Sequence, residues 1–165
     1  MSRCQSKDIQ FQYEKCNIRD FDIRLSFDSK TGEVEFRHGT MVYKGDVKAV
    51  FEFLNDKCDC SVRLIHESLK ENVEHDNYFI DYCFYLATTF PNITFWGGYR
   101  KFDWKRLVSF NHDDLDYCQM VSSMTWKIWD DWFPWLYAHF MNKKNIESGC
   151  ENKYMFIDFI DKEYK

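Results

Sequence analysis

Short runs of period-two hydrophobicity alternate along this chain with runs of helical period, and that order restricts the fold more than any other feature. Asp20–Phe27 (DFDIRLSF) puts Phe21, Ile23, Leu25 and Phe27 on one side of an extended strand, with Asp20, Asp22, Arg24 and Ser26 on the other. A turn at DSKTGE and a short strand at EVEFRH follow. GDVKAVFEFLND then reads as a helix, with Asp46 as N-cap and Val47, Val50, Phe51 and Leu54 as its apolar stripe. CSVRLIHE is a strand, DNYFIDYCFYLATTF a helix ending before Pro91, and NITFWGGYR a strand leading into a Gly-Gly turn. LDYCQMVSSMT fits neither period clearly. KIWDDWFPWLYAHFMNKK is mostly helical, interrupted near Pro134, and KYMFIDFID is a closing strand. At the other end SKDIQFQYEKC predicts a helix capped by Ser6, with Asp8 in its first turn and Ile9, Tyr13 and Cys16 on one face. Strands separated by helices predict an α/β fold with a largely parallel sheet.

Composition narrows the function. The 165 residues are 45% hydrophobic and 19% aromatic, which suits one globular domain over residues 1–165, and two prolines and six glycines leave little material for a linker. A net charge of −5 without a Lys/Arg cluster argues against a nucleic-acid partner, because phosphate backbones require a basic surface. The N-terminus has no apolar leader and no window reaches the ~18 apolar residues of a membrane span, so a cytoplasmic protein is expected. Seven scattered cysteines then read as free thiols in a reducing compartment. Cys58 and Cys60 lack zinc-site spacing, and neither a metal nor a cofactor is expected.

The polar side of DFDIRLSF admits two readings. An Asp and an Arg two residues apart are most often a solvated strand face. A parallel sheet, however, is usually covered on both sides, and polar residues near strand ends in a closed barrel face the catalytic mouth.

Taken with its neighbours, this strand resembles part of a known family. NIRDFDIR (17–24), RHG (37–39) and VFEFLND (50–56) are similar to the X-domain of phosphatidylinositol-specific phospholipase C in its bacterial, metal-independent form. PNITFWGGYRKFDW, WFPWLYAHFMNKKN and YMFIDFID resemble its later strand, last helix and closing strand. The resemblance implies a distorted, incompletely closed TIM-barrel-like (β/α) barrel and an inositol-type or phosphoinositide-like phosphodiester as substrate. It implies cleavage through a cyclic inositol phosphate by histidine acid/base chemistry. Arg24 takes the position at which calcium-dependent relatives hold a metal, and a forked guanidinium suits the charge that builds on phosphoryl oxygens. His38 matches the general acid, Asp22 would orient and charge it, and Asp158 matches the carboxylate that orients the base. His66 or Glu67, and Arg100 or Lys101, match basic or polar substrate contacts.

One part of the family pattern has no counterpart. The strand carrying the general-base histidine would precede the first helix, and only five residues stand before Ser6. The resemblance therefore implies a barrel lacking its first strand. Three alternatives follow: a piece of a longer enzyme, a short form using His66, His75, His112 or His139 as base, or a catalytically degenerate module that binds phosphate esters or protein. A second chain supplying the missing strand is a further expectation. Trp126, Trp129, Trp132 and Trp135 recur every third residue. They read as core packing, or, through Trp129 and Trp132, as a peripheral membrane contact opposed by Asp130 and Asp131.

Overall fold

The structure is a computed structural model and describes residues 7–28, 31–67, 73–98, 108–111, 119–122, 134–147 and 153–156. In chain order its elements are α1 (Ile9–Cys16), β1 (Asp20–Phe27), β2 (Val34–His38), β3 (Met41–Tyr43), α2 (Val47–Asn55), β4 (Cys60–His66), α3 (Val73–Thr89), β5 (Ile93–Gly98), β6 (Val108–Ser109), β7 (Gln119–Ser122), α4 (Pro134–Glu147) and β8 (Lys153–Phe156). They fall into two compact units, one of Arg19–Asp116 and one of Met1–Ile18 with Tyr117–Lys165.

The first unit is built on a sheet of order β3-β2-β1-β4-β5-β6. β1, β4 and β5 run parallel, whereas β2, β3 and β6 pair antiparallel with their neighbours. Local chemistry makes the sheet mixed. Asp28 closes the β1–β2 connection, its side chain accepting from the Thr31 N–H at 2.8 Å, and Gly32 supplies a φ of +71°. Only Gly39 and Thr40 separate β2 from β3, and Gly39 has a φ of +60°. Two residues can join antiparallel strands only, and glycine in the first position suits the tight primed turn.

This arrangement corrects the expectation of a TIM-like barrel, whole or short of one strand. A barrel of that type needs eight strand–helix units closed on themselves. Here, among the described residues, the sheet stays open, with β3 and β6 as its edges, and it is not largely parallel. The hairpin β2–β3 occupies the chain where a barrel would place a helix.

α2 and α3 cover one side of this sheet. Asp46 caps α2 as expected, accepting from the N–H groups of Lys48 and Ala49 at 2.9 and 3.1 Å. The fully buried Phe51 of α2 meets Phe90 and Phe95 with ring centroids 5.8 and 5.6 Å apart. On α3, Phe79, Cys83 and Leu86 recur at helical spacing and are buried. They share a core with Phe21, Ile23, Leu25, Val62 and Leu64, each buried aliphatic or aromatic side chain contributing about 1.5–3 kcal/mol. β1 alternates as its sequence requires, so Asp20, Asp22 and Arg24 project to the sheet's other side.

In the second unit α1 is capped by Asp8 rather than Ser6, because the Asp8 carboxylate accepts from the Phe11 N–H at 2.8 Å. β7 and β8 form a parallel pair. The described part of α4 begins at Pro134, and the helical stretch expected before it lies outside the described residues. Among the described residues no helix is long and apolar enough to cross a membrane.

Candidate functional site

Three neighbouring parallel strands set the polar side of the sheet. The register pairs Asp22 with Arg63 and Arg63 with Trp96, so these three side chains lie in one row across β1, β4 and β5. Asp20, Ser61 and Thr94 form the row beneath. There the Ser61 hydroxyl donates to the Asp20 carboxylate, and the Trp96 indole N–H approaches the Ser61 oxygen at 3.4 Å.

Asp22 is the hub of the cluster. Its Oδ1 accepts from Arg63 Nη1 at 3.0 Å, and its Oδ2 accepts from Arg24 Nε at 3.0 Å. The two guanidiniums differ in environment. The Arg63 side chain is 2% exposed and that of Arg24 28%. Burial lowers the Arg63 pKa to about 10; Asp22 opposes the shift, and the nearby Arg24 charge adds to it. Arg63 therefore remains a cation at neutral pH. Its guanidinium carbon stands 6.0 Å from the Trp96 ring centroid, at the outer limit of a cation–π contact.

Glu67 completes the group. It follows the last residue of β4, where its N–H donates to the Leu25 carbonyl at 2.8 Å and locks it beside β1. Its side chain is 1% exposed. Oε2 lies 3.5 Å from Arg24 Nη1, and Oε1 accepts the Gly39 N–H at 2.8 Å. One carboxylate thus gathers the Arg of the Asp-Ile-Arg segment on β1 and the turn that follows β2. A fully buried carboxylate is retained only where cations and N–H donors hold it.

The expected site residues separate as follows. Asp22, Arg24 and Glu67 come together. His38 ends β2, half-exposed, opposite Met41; two residues past Phe36, which pairs with Leu25, it falls on the helix-covered side of the strand, away from Arg24. Its neighbour Gly39 is tied to Glu67, but Asp22 engages the two arginines and not His38. Arg37, also in the RHG segment, is held by Glu35 at 2.8 Å. His66 goes to the opposite side of the sheet from Glu67, as adjacent strand residues must. Its Nδ1 lies 3.0 Å from Asp76 Oδ1, and its ring stacks on Phe79 at 4.9 Å. His66 therefore belongs to the helix-covered core and leaves the set of substrate contacts and substitute bases. His139 is exposed on α4, edge-on to Phe140.

Asp158, Arg100, Lys101, His112, Trp126, Trp129 and Trp132 lie outside the described residues, as do the side chains of His75 and Trp135. Among the described residues no three His, Cys, Asp or Glu side chains gather as a metal site requires. Arg63 is the site residue that sequence reasoning missed. Its signal was a lone cation inside an otherwise apolar run in a central strand.

Neither a family model, a curated protein nor a solved structure matches the chain.

Proposed function

We propose that this chain acts on phosphodiesters of the inositol-phosphate type, with Arg24 as the group that takes phosphoryl charge and His38, once the end of β2 turns it toward Arg24, as general acid. The observation that carries the reading is the double engagement of Glu67, which holds the half-exposed Arg24 and the Gly39 N–H of the turn after His38 on one buried carboxylate. A guanidinium fixed by two carboxylates is pre-positioned for an anion, and fixed positive charge stabilises the oxygens that become more negative as phosphorus is attacked. In the proposed reaction a substrate hydroxyl attacks phosphorus and passes its proton to water. The bond to the leaving oxygen breaks, and His38 protonates that oxygen as it departs. The free thiols of Cys58, Cys60 and Cys83 suit the reducing cytoplasm expected for the protein.

The test is release of cyclic inositol phosphate from phosphatidylinositol micelles by the purified chain, with Arg24→Ala and His38→Ala beside it. Loss of a general acid costs a factor of about 10²–10⁴, so both variants should fall to background. Turnover that survives both substitutions would remove these residues from the chemistry.

A second reading, binding without cleavage, is favoured by the state of Asp22. Each of its oxygens already accepts from a guanidinium, so it does not hold His38 in the charged, oriented state that the acid role requires. Absent turnover together with phosphodiester binding that requires Arg24 would select this reading.

A further inference from the structure

We propose that Arg63 is a positioning residue for this site, acting through Asp22 to fix the Arg24 guanidinium. The inference rests on the phosphodiester reading above and deepens it. With its side chain 2% exposed, Arg63 is too deep to meet a ligand arriving from solvent, whereas Arg24 is open enough to do so. The two cations are not equivalent groups facing one anion. They are an inner and an outer guanidinium on opposite oxygens of the same carboxylate, each at 3.0 Å.

Rotation of Asp22 about its terminal bond would swing Oδ2 away from Arg24 Nε. The bond from Arg63 to Oδ1 prevents that rotation. Arg63 is itself fixed by the register, since it lies directly opposite Asp22 on β1 and Trp96 on β5. The Trp96 indole is steered in turn by its approach to Ser61. A row of contacts across three strands therefore ends on the outer guanidinium. A long, rotamer-rich arginine loses little further freedom on binding when Nε is already held.

Fold stability gives no reason for a cation at position 63. Val62, Leu64 and Ile65 beside it are buried, and a buried ion pair is usually replaced as a whole by apolar side chains without loss; with Arg63 alone removed, Asp22 keeps Arg24 as its partner and part of its solvent contact.

The experiment uses the full chain, with and without glycerophosphoinositol as a soluble phosphodiester. Two quantities are read: solvent exchange of the Arg24 Nε–H by NMR, and the dissociation constant for the diester. Arg63→Met should keep the fold while speeding Nε–H exchange and weakening the diester by on the order of tenfold, the lower end of what outer-shell partners contribute. Arg63→Lys, which keeps the charge but not the fork, should fall between, and it replaces Arg63→Met if that variant fails to fold. Because Arg63 acts through Asp22, Arg63→Met in an Asp22→Asn background should add nothing to the loss from Asp22→Asn alone. Wild-type exchange and affinity in Arg63→Met, or full additivity in the double variant, would overturn the proposal. If the wild-type chain binds no diester, the functional reading fails, and the exchange measurement still decides whether Arg63 positions Arg24.

Discussion

Gly97 sits where β4 and β5 approach most closely, and Gly97→Ala is expected to destabilise the protein by about 2–4 kcal/mol. A methyl group at this position would point into the backbone of Leu64, its direct partner in the ladder. It would overlap the Leu64 carbonyl oxygen and stand only 3.0 Å from both the Leu64 carbonyl carbon and nitrogen. Leu64 cannot yield easily, because β4 is paired on both edges, to β1 and to β5. Relief requires the two strands to separate by roughly 1 Å from the usual 4.7–4.9 Å spacing. Overpacking of this kind costs about 1–3 kcal/mol, and each weakened ladder bond adds about 0.5–1.5 kcal/mol. Reduced freedom of the unfolded chain returns only about 0.4–1 kcal/mol. The φ of Gly97 lies outside the left-handed region, so steric overlap alone carries the effect. At about 2–4 °C per kcal/mol for a chain of this size, the melting temperature should drop by roughly 5–15 °C. Urea unfolding monitored by tryptophan fluorescence gives the free energy, with an unchanged m-value as the sign that the native state is otherwise intact. A difference within about 0.5 kcal/mol of wild type, the range of neutral surface changes, would show that the strands are not this close and that the register is wrong.

Three further outcomes follow from the packing and the ionisable groups. Phe51→Ala removes a fully buried ring that contacts Phe90 and Phe95 and should cost about 3–5 kcal/mol in the same unfolding assay. Raising the pH through 9 and 10 should lower stability. Burial pushes Cys60 up to about 11 and Tyr82 up to about 12 and raises Cys83. The unfolded chain therefore releases these protons first, and the stabilisation, complete below their ordinary values, is lost as pH rises through the folded ones. Arg63, shifted down to about 10, partly offsets this, so Arg63→Met should steepen the loss in urea titrations across that range. Native-state alkylation followed by mass spectrometry should modify Cys58, which is exposed, well before Cys60 and Cys83, whose thiols are buried and held protonated.

Period-two patterning placed β1 correctly, and with it the side of the sheet that carries Asp22 and Arg24. Asp46 likewise announced α2, since a helix start needs an acceptor for its first N–H groups. Closure of the sheet was not legible in the same way. Alternating strands and helices describe a parallel barrel and a mixed open sheet equally until connection lengths are weighed. The two residues between His38 and Met41 force an antiparallel hairpin, and that signal, Gly39 followed by Thr40, was present in the sequence. Met41–Tyr43 is only three residues long, too short for alternation to mark it as a strand.

The site was half legible for a related reason. His66 and Glu67 are adjacent, so they resemble interchangeable candidates in a linear reading, yet a strand sends neighbours to opposite sides. Which of the two faces Arg24 depends on the register of β4 against β1, and residue types within β4 do not fix that register. Once Leu25 stands opposite His66, His66 must join Phe79 and Asp76 in the core, and Glu67 must turn toward Arg24. The same register brings Arg63 opposite Asp22 and makes it part of the site rather than an isolated cation in an apolar strand. An arginine that interrupts a buried central strand therefore points to an acidic partner on the neighbouring strand, with pairing register deciding which acid it meets.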